Sequence, residues 1–310
     1  MTVPTYHFFQ LDVFTREPLA GNPLAVFPEA AGLDPRTMQA LAREMNLSET
    51  TFVTASPAAT RRVRFFTPAA EIPLAGHPTI GTWWLLTELG QLGGAGTPRD
   101  GSVRVTQETG RGVLPVDITL ASGAPAEVTM TQARPEFGPV VEDRVRLAAA
   151  LGGDGALLAD RPAPQVVSTA LPQLMVPIRT RAQLAALPSG GAGAELAALL
   201  KAMATDCAML FVLDEGGAPD TVWCRMFAPG LGVTEDPATG SAAGALGAYL
   251  VRHGLAEPRD GIARIVVNQG LEIGRPSVMQ VTVRAGASGD VMDVRVGGAA
   301  VRVIEGVVRL

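Results

Sequence analysis

An α+β fold is predicted for this 310-residue chain from three observations. Short β-rich segments alternate irregularly with isolated helical ones, unlike the regular array of a parallel-sheet protein. Ile80–Leu86 is apolar on all sides, as a buried helix is, and Ala242–Val251 is a second, Ala/Gly-rich helix. Each helix follows a similar block: Arg64-Phe65-Phe66-Thr67-Pro68 before Gly76, and Arg225-Met226-Phe227-Ala228-Pro229 before Gly240.

The elements follow in order. Tyr6–Val13 reads as a strand, Gly21-Asn22-Pro23 as a turn and Leu24–Phe27 as a short apolar strand. Asp34 suits an N-cap, Pro35 the first helical position, and Met38, Leu41 and Met45 recur at helical spacing, so a helix runs to about Asn46. Thr50–Thr54 is β-rich, which puts Ser48 and Glu49 at a helix-to-strand junction. Arg62–Phe66 is a strand, with a turn at Thr67-Pro68. Arg99–Gly112 reads as a turn and hairpin, and Val113–Leu120 and Glu127–Gln132 as strands. A helix at Val141–Leu151 is followed by a strand-like stretch, Val166–Ile178, interrupted by Pro172. Arg181–Leu187 and Glu195–Ala204 are helical, and Ala208–Leu213 and Thr221–Phe227 are strands. Four strands close the chain: Arg264–Asn268, Val278–Arg284, Val291–Val296 and Ala300–Ile304.

The repeated blocks are offset by 161 residues at the arginines and 164 at the glycines. Both read as strand, proline turn, acid-containing loop and glycine-opened helix, with Glu71 in one loop and Glu235-Asp236 in the other. Two related halves facing one another across a cleft are expected. Each aims a helix N-terminus at it, and such termini attract a carboxylate through unpaired N–H groups and partial positive charge. The crossover is expected in the turn-rich Ser122–Pro125, giving halves at 1–123 and 124–310, with the last strand allowed to return to the first half.

Composition removes several classes of function. Residues are 47% hydrophobic and 18% charged, ample for a full core, so disorder is excluded as the main state. A formal charge of −5 argues against nucleic-acid or anionic-membrane binding. The one lysine, Lys201, ends an Ala/Leu helical pattern, which disfavours Schiff-base chemistry. There is no P-loop, no GxSxG elbow, and Gly191-Ala192-Gly193 lacks the third glycine and preceding strand of a dinucleotide fingerprint. His7, His77 and His253 lack zinc spacing, and Cys207 and Cys224 read as buried thiols of a reducing compartment. No metal or cofactor is expected. No secretory leader or membrane span is visible, so a cytoplasmic location is expected.

Chemistry must then come from side chains. A carboxylate at an element junction beside an apolar strand can be desolvated toward a neutral pKa, as a general acid/base requires, and Glu49 holds such a position. His77 decorates a helix start, Asp236 suits an Asx-turn and Ser241 an N-cap, so each has an ordinary structural reading as well. Gln269 lies at a strand end.

Five blocks in this order resemble the PhzF-like phenazine biosynthesis family: Phe9–Phe27 with Gly21-Asn22-Pro23, Asn46–Val53, Glu71–Thr79, Glu235–Ala243 and Gln269–Ser277. The resemblance runs nearly end to end, and the Gly76-His77-Pro78-Thr79 and Asp236–Ser241 blocks are its most specific parts. It implies a fold similar to diaminopimelate epimerase, with two pseudo-symmetric halves, each a curved sheet around a central helix. It further implies a cofactor-independent isomerase acting on a small, carboxylate-bearing, cyclic amino-acid-like substrate. By the resemblance, Glu49 is the proton-shuttling residue, and His77 and Asp236 complete the catalytic set. Ser48, Gly76, Gly240, Ser241 and Gln269 contact substrate, and the protein is a homodimer. One departure is Ala170, where the family often has glycine. Racemases of this architecture use one cysteine per half near the helix starts, and these blocks contain none, which disfavours a two-thiol mechanism. A binding module without turnover and a carboxylate-based amino-acid epimerase remain as alternatives.

Overall fold

The structure is a computed structural model that describes residues 4–92, 98–214, 220–286 and 290–310. It divides into two compact units, one of residues 1–130 with 297–310, the other of residues 131–296. The first unit contains β1 (Thr5–Val13), β2 (Asn22–Phe27), α1 (Pro35–Met45), β3 (Glu49–Thr54), β4 (Arg61–Phe66), β5 (Glu71–Ile72), α2 (Gly76–Glu88), β6 (Gly101–Thr109), β7 (Gly112–Ala121) and β8 (Ala124–Thr131). The second contains β9 (Glu136–Val140), α3 (Arg144–Ala150), β10 (Gln165–Ser168), β11 (Pro172–Pro177), α4 (Arg181–Ala186), α5 (Ala194–Ala202), β12 (Ala208–Leu213), β13 (Thr221–Ala228), β14 (Val233–Asp236), α6 (Gly240–Arg252), β15 (Ile262–Gln269), β16 (Ser277–Ala285) and β17 (Val291–Gly298). The last strand, β18 (Ala300–Arg309), pairs antiparallel with β1 in the first unit.

The mixed sheets and scattered helices make an α+β protein. The turn at Ser122-Gly123, expected above as the crossover, instead closes the β7–β8 hairpin inside the first unit, and the division falls after Met130. Both residues have positive φ, the twist a tight hairpin demands.

The two units share one pairing scheme. In the first, β1 is antiparallel to β2, β2 parallel to β3, β3 antiparallel to β4, β4 antiparallel to β5 and parallel to β6, and β6 antiparallel to β7. In the second, β10, β11, β12, β13, β14, β15 and β16 repeat those relations in the same order. The buried helix follows the short strand each time, α2 after β5 and α6 after β14. The spaced blocks in the sequence are therefore equivalent positions of a repeated unit.

Each sheet packs against its own helix. Residues 77–87 of α2 are all buried, mainly against β1, β2 and β3. All of α6 is buried except Ser241 and Arg252, with β10, β11, β15 and β16 around it. Close approach needs glycine. A Cβ on Gly81 would lie 2.6 Å from side-chain atoms of both Leu24 and Val13, and one on Gly247 would lie 2.6 Å from Val281. A separate cluster under α1 joins Phe27, Phe52 and Phe66, with ring centroids 4.8 and 5.3 Å apart along that chain.

Local signals held where they were self-contained. Asp34 caps α1 by accepting from the backbone N–H groups of Arg36 and Thr37, and Asn46 ends it in the left-handed region, φ 51°. Both cysteines are buried free thiols, and Lys201 sits exposed in the last turn of α5. Val166–Ile178, read above as one interrupted strand, is the hairpin β10–β11. Strand β9 was not foreseen, because Gly138 and Pro139 lower its β propensity.

Candidate active site

The first unit brings Glu49 and His77 together. Glu49 opens β3 and pairs in parallel register with Leu24, while His77 is the second residue of α2. The imidazole Nε2 lies 3.5 Å from Glu49 Oε2, with side-chain exposures of 8% and 18%. The other ring nitrogen is held by the backbone of Pro23. Proline has no N–H, so its carbonyl accepts, and Nδ1 carries the proton. Burial drives the imidazole pKa down to about 3, only partly opposed by that hydrogen bond. His77 is thus neutral at pH 7, and its contact with Glu49 is an approach of an acceptor nitrogen to a carboxyl oxygen rather than a salt bridge.

The Gly21-Asn22-Pro23 block explains the bond to Pro23. Gly21 has φ 66°, and a Cβ there would stand 2.4 Å from the Val13 carbonyl. The buried carboxylate of Asp12 accepts from the N–H of Leu19 at 2.7 Å and pins the loop that ends in this block. Ser48 is exposed beside Glu49, and Gly76 opens α2. The N-cap residue of α2, Ala75, has no side chain able to satisfy the first N–H groups.

The second unit gathers Asp236, Ser241 and Gln269. The hydroxyl of Thr239 donates to Asp236 Oδ2. Gln269 Nε2 donates to the Asp236 carbonyl at 2.7 Å and to Thr239 Oγ1 at 3.1 Å, and Gln269 Oε1 accepts from the Thr239 N–H at 3.4 Å. The Gln269 amide is therefore spent on bracing the entry to α6. Thr239, not Ser241, occupies the N-cap position, and its hydroxyl makes no cap bond. Ser241 is already the second residue of the helix that Gly240 opens. Its carbonyl accepts from Thr169 at 3.2 Å, and its hydroxyl accepts from Gln173 Nε2 at 3.4 Å. Sequence reasoning passed over Pro23, Thr169, Gln173 and Thr239. Only the repeated topology could have signalled them, since Pro23 and Gln173 each immediately precede the residue that begins the parallel pairing.

The two loop acids of the repeat are occupied by arginine. Arg64 forks onto Glu71 with two bonds of 2.7 Å and lies 5.2 Å from the Phe66 ring centre. Arg225 forks onto Glu235 at 2.9 and 2.5 Å and lies 5.0 Å from Phe227. The Arg64 bonds hold the Glu71 carboxyl below the usual carboxylate range. Neither Glu71 nor Glu235 is left for chemistry, whereas the neighbouring Asp236 ends β14 at the helix entry. The Cys207 thiol is pushed up to about 12, by burial first and then by the charges of Asp206 and Asp236, and Cys224 is pushed higher still by burial. Neither is a thiolate base at neutral pH. Among the described residues no cluster of His, Cys, Asp or Glu is arranged to hold a metal, and no helix is long and apolar enough to cross a membrane.

Known proteins match this chain over nearly its whole length. The family described as phenazine biosynthesis-like protein matches residues 11–306. A trans-2,3-dihydro-3-hydroxyanthranilate isomerase of Pseudomonas aeruginosa is 36% identical over 303 residues, covering 97% of this chain and 98% of its own. The crystal structure of a Bacillus anthracis phenazine biosynthesis protein of the PhzF family superposes with a TM-score of 0.88 at 28% identity, covering 98% of this chain and 99% of that one. A hydroxyproline epimerase from Agrobacterium vitis shares the fold alone, with a TM-score of 0.64 at 14% identity, covering 99% and 93% of the two chains. The epimerase-like α+β architecture expected from the sequence is the one these neighbours have.

Proposed function

The chain belongs to the phenazine biosynthesis-like family and is an isomerase, and we propose that it moves a proton between carbons of a small, cyclic, carboxylate-bearing substrate, with Glu49 as the acid/base and no cofactor. The observation that carries this is the pairing of Glu49 with a neutral His77 whose tautomer is fixed by Pro23. The lone pair on Nε2 faces Glu49 Oε2 at 3.5 Å, so it repels the ionised carboxylate and accepts from the protonated one. A proton on the carboxyl relieves the repulsion. Glu49 then gives that proton to one carbon of the substrate, and the carboxylate left behind takes the proton from another.

Internal asymmetry supports one base rather than two. The position equivalent to Glu49, which begins the parallel pairing with the preceding strand, is Ala208 in the second unit. A shift of a proton along one substrate needs a single group that is first acid and then base. A two-base racemisation by carboxylates needs a second proton carrier, and the position equivalent to Glu49 does not supply one. In this reading His77 completes the polar set beside Glu49 in the first unit, and in the second Asp236 and Ser241 stand at the entry to α6; the N–H groups at Gly76 and at Gly240 each suit a carboxylate. Gln269 acts through its brace on Asp236.

The test uses trans-2,3-dihydro-3-hydroxyanthranilate, the compound in the name of the Pseudomonas relative, as probe in D₂O. The wild-type chain is expected to isomerise it with deuterium entering carbon. Glu49→Gln is expected to keep binding and lose about 10²–10⁴ in rate, the usual worth of a positioned acid/base. Deuterium uptake at an unchanged rate in Glu49→Gln refutes the assignment.

A further inference from the structure

Gln173 stands where a strand residue of the core is ordinarily apolar. It is the second residue of β11, only 1% exposed, and the next three residues, Leu174, Met175 and Val176, are fully buried hydrophobics. Its Nε2 donates to Ser241 Oγ at 3.4 Å. Its Oε1 is shielded from solvent and has no hydrogen-bond partner among the described residues. Leaving a buried acceptor unpaired costs about 1–3 kcal/mol, so a purely structural role favours a hydrocarbon here.

Topology gives the position a meaning. Gln173 immediately precedes Leu174, which begins the parallel pairing of β11 with β12. Its equivalent in the first unit is Pro23, which immediately precedes Leu24. The Pro23 carbonyl accepts from His77, the residue after the glycine that opens α2. The Gln173 amide likewise bonds Ser241, the residue after the glycine that opens α6. In the first unit this contact sets the polarity of a site side chain. In the second it leaves one carbonyl oxygen over.

We propose that Gln173 Oε1, beside Ser241, is a subsite for a hydrogen-bond donor, an amino or hydroxyl group that the substrate carries next to its carboxylate. An amide oxygen only accepts, so its ligand must bring the hydrogen. Ser241 is partly exposed at the first turn of α6, where the Thr239 hydroxyl has turned to Asp236 and leaves the helix without a side-chain cap. Carboxylate at the helix start and donor at Gln173 together select amino- or hydroxycarboxylates over plain carboxylates. This inference rests on the reading that the α6 start holds the carboxylate.

The experiment is calorimetric titration of the full chain with benzoate, anthranilate and salicylate. The wild type is expected to bind anthranilate, salicylate or both about tenfold more tightly than benzoate, the worth of one hydrogen bond of roughly 1.4 kcal/mol. The tighter of the two identifies the donor as nitrogen or oxygen. Gln173→Leu is expected to lose the discrimination, binding all three compounds within about twofold of one another whatever its affinity for benzoate, and Gln173→Met serves if the leucine variant does not fold. Equal binding of all three by the wild type, or discrimination retained in either folded variant, overturns the subsite while leaving the carboxylate reading intact. Failure of the wild type to bind benzoate at all strikes the carboxylate reading and the subsite together.

Discussion

The two arginine forks are equivalent in topology and unequal in burial, so the same substitution in each should have very different costs. Arg225 and Glu235 are each 2% exposed in their side chains, against 19% and 43% for Arg64 and Glu71. Arg225 also donates to the carbonyls of Leu184 and Leu187 and to Ser189 Oγ, so Arg225→Met removes five hydrogen bonds. Among the described residues Glu235 then keeps the hydroxyl of Ser189, and it remains a buried charge. Removing one partner of a buried ion pair costs about 3–5 kcal/mol, while an exposed pair is worth about 0–1 kcal/mol. At roughly 2–4 °C per kcal/mol, Arg225→Met should lower the melting temperature by about 6–20 °C and Arg64→Met by no more than about 4 °C. The assay is differential scanning calorimetry of both variants at neutral pH. The double variant Arg225→Met/Glu235→Leu should recover much of the loss, because the stranded charge leaves with its partner. Equal shifts for the two single variants would refute the reasoning that burial, rather than fork geometry, sets the energy.

Two further outcomes follow from named contacts. His77 takes up its proton near 6.5 when unfolded and near 3 when folded, so the unfolded state binds more protons in that window. Stability should therefore fall as pH drops from about 6.5 toward 3, by up to about 1.4 kcal/mol per pH unit from this group. Urea unfolding of His77→Asn across that range should show a flatter slope than the wild type, and an unchanged slope would sink the assignment. Gly270→Ala places a Cβ at φ 80°, 2.3 Å from the Arg275 carbonyl and 2.6 Å from the Pro237 carbonyl. It should destabilise by about 1–3 kcal/mol and disturb the adjacent Gln269 brace, read as a lower melting temperature together with a slower isomerisation.

Much of the fold lay open in the sequence because its signals are local or strongly periodic. Asp34, Pro35 and Asn46 mark the ends of α1 by capping chemistry that needs only neighbouring residues. Gly76 and Gly240 announce two helices because each follows a recognisable strand and acid loop. What escaped depends on partners far along the chain. The hairpin β10–β11 reads as one apolar run until β9 and β12 are known to flank it, and β9 itself is held by pairing against its own propensity. Ser241 looks like a cap until the Thr239 backbone takes that place.

The site divides along the same line. Residue types and order alone determined that Glu49, His77, Asp236 and Ser241 are candidates, since the blocks that carry them stay intact as text. Tertiary structure alone decided that Pro23 fixes the His77 tautomer, that arginines pair with Glu71 and Glu235, and that Gln173 keeps an acceptor unpaired among the described residues. The physical reason is that protonation and hydrogen-bond satisfaction depend on burial and on groups tens of residues away, and neither quantity is written in a local window of sequence.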